Sequence, residues 1–109
     1  MGIDDIHNKT KEYCLVLLKK GPEYNMPDEE VQQQNQAAHL SYLAELKANG
    51  LLALTGPVMH GGHIIEMAVY NIADKQTVKA LLENDPGVAA QRFTYELLTW
   101  FSIPGDSLG

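Results

Sequence analysis

From Glu12 to Lys19 the apolar residues fill both phases of a two-residue alternation, Tyr13, Leu15 and Leu17 on one and Cys14, Val16 and Leu18 on the other. A strand apolar on both faces belongs in the middle of a sheet. Gly21, Pro22, Asn25 and Pro27 then mark a loop. Asp28, followed by Glu29 and Glu30, reads as the N-cap of a helix with its acidic residues in the first turn, and Asn49–Gly50 reads as its stop.

Leu51–Val58 is predicted to be a second strand, and Pro57 marks it as an edge because proline cannot donate to a ladder. Met59 to His63 form a hairpin connection around Gly61-Gly62, and Ile64–Tyr70 is the third strand. In it Ile65, Met67 and Val69 alternate with Ile64, Glu66, Ala68 and Tyr70, so neither face is simply polar. Asp74 caps a second helix, Lys75 to about Asn84, with Val78, Leu81 and Leu82 at helical spacing. Asp85-Pro86-Gly87 breaks it, Val88–Gln91 adds a helical turn, and Arg92–Phe101 is the last strand.

The order β-α-β-β-α-β with right-handed crossovers gives an α+β, ferredoxin-like fold: a four-stranded antiparallel sheet with two helices on one face. Residues 11–103 form this single domain, between a polar arm over 1–10 and a tail over 104–109. The other face of the sheet would expose more Leu, Val and Tyr than a monomer tolerates. The expectation is a homodimer packed sheet on sheet, the alternative being that the terminal arms fold back over that face.

Within the first helix one residue breaks the pattern. Asn35, His39, Tyr42, Leu43 and Leu46 share a stripe at about 100° per residue, and His39 sits where the stripe calls for a leucine. The helices of this topology run antiparallel. At about 1.5 Å rise per residue, His39 lies roughly 16 Å back from Gly50 and Asp85 roughly 16 Å on from Asp74, so the two side chains stand at similar depth. A carboxylate beside an imidazole fixes its tautomer and raises its basicity, which suits a general base near neutral pH. Each residue also has a purely structural reading. Asp before Pro is a usual start of a short helix, with Asp85 as N-cap, and His39 can be a core histidine satisfied by a backbone carbonyl or water.

Composition narrows the setting. The 109 residues fit one domain, and a formal charge of −6 argues against nucleic acid or an anionic membrane surface as partner. Cys14 is the only cysteine and lies in an apolar run, which fits a small buried residue and a reducing compartment. No apolar h-region opens the chain, Ile6 stands where a myristoylation signal wants Ser or Thr, and no run is long enough to cross a bilayer. A soluble, cytoplasmic protein is expected.

The segment HLSYLAELKANGLLALTGPV from His39 to Val58, the hairpin after it and the Asn84-Asp85-Pro86 break resemble the YCII-related (YciI-like) family, within the dimeric α+β barrel superfamily. The resemblance spans about residues 12–101. It implies a cleft between helices and sheet with a histidine–aspartate active site, which carries over to His39 and Asp85. The chain departs from the family at Gly87, where an aromatic often follows Asp-Pro.

Three functions follow. The first is a small-molecule enzyme in which His39, oriented by Asp85, transfers a proton in an isomerase or lyase type of reaction on a cyclic or carbonyl-containing ligand. Tyr42, on the same helical face, would line the cleft, and Gly56 and Pro57 would shape its floor. The second is a non-catalytic binding or dimerisation module in which the pair is a buried hydrogen bond. The third, resting on the superfamily, is a cofactor-free monooxygenase. No cofactor signature appears, and His60 and His63 across the hairpin lack the further ligands a metal site needs.

Overall fold

The computed structural model describes residues 10–103. Its elements are β1 (Lys11–Lys20), α1 (Glu29–Ala48), β2 (Leu52–Pro57), β3 (Ile64–Tyr70), α2 (Lys75–Glu83), the one-turn α3 (Pro86–Ala89) and β4 (Phe93–Ser102). The strands form one antiparallel sheet in the order β2-β3-β1-β4, so β1 is central and β2, with Pro57, is an edge. This is the ferredoxin-like arrangement. The expected N-terminal arm, apart from Thr10, and the C-terminal tail lie outside the described residues.

The ends of α1 are set by local chemistry. Asp28 accepts hydrogen bonds from the Glu30 and Val31 amides at 2.9 and 3.3 Å, and Glu29 and Glu30 complement the helix dipole. At the other end Gly50 adopts φ +75°, which lets Gly50 N–H reach the Lys47 carbonyl and Leu51 N–H the Leu46 carbonyl. The chain is thereby turned directly into β2. That strand runs one residue shorter at each end than the alternation predicts, and its register slips between Leu52 and Leu54.

Cys14, Val16 and Leu18 of β1 are buried beneath Leu43 and Leu46 of α1 and Val78 and Leu82 of α2, with Leu52, Tyr70 and Phe93 completing the core. The opposite phase of the strands carries Tyr13, Leu15 and Leu17, opposite Val69, Met67, Leu98 and Trp100. Among the described residues no helix covers this face, and Leu54, Met67, Leu98 and Trp100 are each 40–43 % exposed.

The corner after α2 differs most from the expected pattern. α2 ends at the Asn84 cap, so Asp85 projects from the connection rather than from the helix, and α3 begins at Pro86, two residues before the expected turn. Asp85 is its N-cap, donated to by Gly87 N–H at 2.8 Å, with Pro86 in the position that has no amide to satisfy. Gly87 also has a packing reason. A Cβ there would collide with the Phe93 ring, so the space beside Gly87 is already filled by an aromatic side chain from β4.

Candidate active site

His39 is completely buried and both its ring nitrogens are occupied by carboxylates. Nδ1 lies 2.7 Å from Asp85 Oδ2 and 2.9 Å from Oδ1, and Nε2 lies 2.8 Å from Glu66 Oε2. The Phe93 ring meets the imidazole edge to face at a centroid distance of 4.9 Å. A histidine in the apolar stripe of α1 is thus satisfied from two sides, by the corner that follows α2 and by the third strand. Asp85 fills both of its sequence readings at once, as helix cap and as histidine partner.

Burial by itself would push the imidazole pKa down. The hydrogen bonds to Asp85 and Glu66, and the charges of the two carboxylates, outweigh it and carry His39 from 6.5 up to about 9. Near neutral pH the ring is an imidazolium that donates from both nitrogens. It has no free lone pair.

Glu66 is the residue that pattern reading missed. β3 places it opposite Leu18, on the helix-covered phase with Ala68 and Tyr70. Its Oε2 takes the histidine and its Oε1 accepts from the Thr55 hydroxyl at 3.2 Å, while Thr55 also reaches the Met67 carbonyl at 3.0 Å. With 14 % of its side chain exposed, Glu66 is the end of the chain Asp85–His39–Glu66 that meets solvent. The signal for it was a lone carboxylate in the inward phase of an otherwise apolar strand.

It opens on a cleft of about 510 Å³ between α1, the β2–β3 edge and the start of β4. Gln32, Gln36 and Leu40 form one wall, Pro57, Ile65 and Glu66 another, and Arg92 and Phe93 a third. Of the two residues expected at the cleft floor, Pro57 lines the cleft and Gly56 is not among its lining residues. Nor is Tyr42, which is turned toward α2 and donates to the Leu81 carbonyl at 2.6 Å. Among the described residues no group of three or more His, Cys, Asp or Glu side chains is arranged to hold a metal ion.

The YCII-related domain matches residues 13–100 of the chain. The chain belongs to the YCII-related family. No curated protein matches it. Among solved structures similar to this YCII-related chain is 5-chloro-2-hydroxyhydroquinone dehydrochlorinase (TftG) of Burkholderia phenoliruptrix AC1100, in complex with 2,5-dihydroxybenzoquinone, at 22 % identity. The match covers 83 % of this chain and 91 % of that one with a TM-score of 0.56, a likeness of fold. No helix of the described residues is long and apolar enough to cross a membrane.

Proposed function

We propose that this chain is a small-molecule enzyme of the lyase or isomerase type in which Glu66 exchanges a proton with a ligand in the cleft, positioned by His39 and, behind it, Asp85. The observation that carries the reading is the 2.8 Å contact between His39 Nε2 and a glutamate that lines a cleft. Asp85 fixes Nδ1–H, so the ring presents Nε2–H to Glu66 and holds that carboxylate in one place. Glu66 takes a proton from a ring C–H or O–H. The electron pair left on the ligand then expels a leaving group, in a lyase, or is protonated at another atom, in an isomerase. The solved relative supports a lyase, since its name describes loss of hydrogen chloride from a hydroxylated ring.

The test is a panel of hydroxylated six-membered rings, 5-chloro-2-hydroxyhydroquinone included, followed by chloride release and by deuterium exchange at ring C–H, with oxygen uptake monitored for a monooxygenase. Glu66→Gln should lower the rate by about 10²–10⁴-fold with its fold intact. A wild-type rate in that variant would sink the proposal. One observation favours a binding module instead: His39 has no surface on the cleft. That reading predicts ligand binding without turnover in the same panel.

The uncovered sheet face, with Leu54, Met67, Leu98 and Trp100 exposed, supports a homodimer packed sheet on sheet. Light scattering should report twice the chain mass, and a monomer at all concentrations rejects it. The single cysteine, buried and free, fits a reducing cytoplasmic setting.

A further inference from the structure

Arg92 is 4 % exposed and lines the same cleft, yet it forms no ion pair among the described residues, and the charge of Asp85, itself engaged by His39, favours it without a direct contact. Its Nη1 donates to Asn35 Oδ1 at 2.8 Å and its Nη2 to Gln36 Oε1 at 3.1 Å, both neutral amide oxygens. Nε finds no acceptor among the described residues. No ion pair among the described residues includes this guanidinium. A buried cation with neutral partners and an orphaned N–H is uncommon, because an unmade charged hydrogen bond is expensive.

The placement is also enforced. Gln91 adopts the left-handed φ of 62°, and the Arg92 backbone is held from both sides, its N–H by the Gly87 carbonyl at 3.0 Å and its carbonyl by Gly21 N–H at 2.7 Å. A Cβ at Gly21 would run into the Gln91 carbonyl. The guanidinium carbon lies 4.7 Å from the Phe93 ring centroid, and both residues line the cleft, so cation and aromatic ring stand side by side at one wall. Asn35 serves two purposes, donating to the Pro86 carbonyl at 3.1 Å while accepting from Arg92.

We infer that Arg92 anchors an anionic oxygen, so that the cleft takes a small planar compound bearing a carboxylate or an ionised ring hydroxyl. The inference rests on the cleft being the ligand site proposed above, and on nothing that happens at Glu66. The acidic side chains facing the cleft are Glu29, in the first turn of α1, and Glu66, which His39 already engages. Neither forms an ion pair with Arg92 among the described residues. With Arg92 and Glu66 both lining the cleft, a ligand would place its anionic oxygen at the guanidinium and its exchangeable proton at the carboxylate.

The probes are benzoate against benzamide, and 4-nitrophenolate against nitrobenzene, titrated into the full chain by NMR with the Arg92 Nε–H resonance observed directly. Each ionised probe should bind about tenfold or more tightly than its neutral counterpart and shift the Nε–H signal. The tighter of the two ionised probes identifies the oxyanion. Arg92→Gln should remove that preference, Arg92→Lys should keep part of it, and Glu66→Gln should keep or strengthen it. Equal binding of charged and neutral probes, an unmoved Nε–H, or undiminished benzoate binding in Arg92→Gln overturns the inference. If Arg92→Gln does not fold, the wild-type comparison still decides. Failure of the proton-transfer proposal would appear as undiminished turnover in Glu66→Gln, with anion binding unaffected.

Discussion

Asp85 and Glu66 hold opposite nitrogens of one imidazole at nearly equal distances, 2.7 and 2.8 Å, but they are built into the molecule differently. Asp85 is 1 % exposed and spends a second hydrogen bond on capping α3. Glu66 belongs to a strand, takes, among the described residues, only a 3.2 Å bond from Thr55 besides the histidine, and reaches the cleft. The inner carboxylate is committed to architecture and the outer one is available to a ligand. A histidine between them passes the rigidity of one to the other. On the function proposed above, the sealed side governs stability and the open side governs chemistry.

Asp85→Ala should produce the largest loss of stability, about 3–5 kcal/mol by urea unfolding, because it removes a cap and strands a buried imidazole that had an ionic partner. Asp85→Asn keeps an oxygen able to cap Gly87 and should lose markedly less. Equal losses in the two variants would show that the cap contributes nothing, and the sealed side would then be purely ionic.

A smaller effect comes from protons. Because folding raises His39 from 6.5 to about 9, its contribution is fully present below pH 6.5 and is lost as pH rises through 9. The decline should amount to on the order of 3 kcal/mol at most, read from urea midpoints across that window. His39→Gln should be less stable at pH 6 and show a flatter profile between pH 6.5 and 9. A wild-type slope in the variant would locate the titration elsewhere. The smallest stability change, under about 1 kcal/mol, is expected for Glu66→Gln, since the amide oxygen still accepts Nε2–H at a partly exposed position. A loss as large as that of Asp85→Ala would erase the distinction between the two sides.

Much of this was legible in the chain. The double alternation of β1 announced a central strand, Pro57 an edge, and Asp28, Gly50 and Asp74 the ends of helices, because caps and pleats depend on neighbours within a few residues. His39 stood out as a polar residue in an apolar stripe, and helix lengths alone brought Asp85 to its depth. Tyr42 shows where such reasoning stops. It shares the helical stripe of His39, but the stripe faces α2 as well as the sheet, and its hydroxyl is drawn to the Leu81 carbonyl.

Glu66 and Arg92 required the folded molecule. Alternation put Glu66 in phase with Ala68 and Tyr70, but only the pairing of β3 with β1 turns that phase toward the helices and sets the carboxylate against Nε2. Arg92 looks like the first residue of a strand, and only the left-handed turn at Gln91, wedged by Gly21, carries it into the cleft wall. Local periodicity by itself determined the elements, their order and the residue that needed partners. The register and a corner between distant segments decided which partners it received, since the contacts involved join residues 27 to 57 positions apart and no local pattern encodes them.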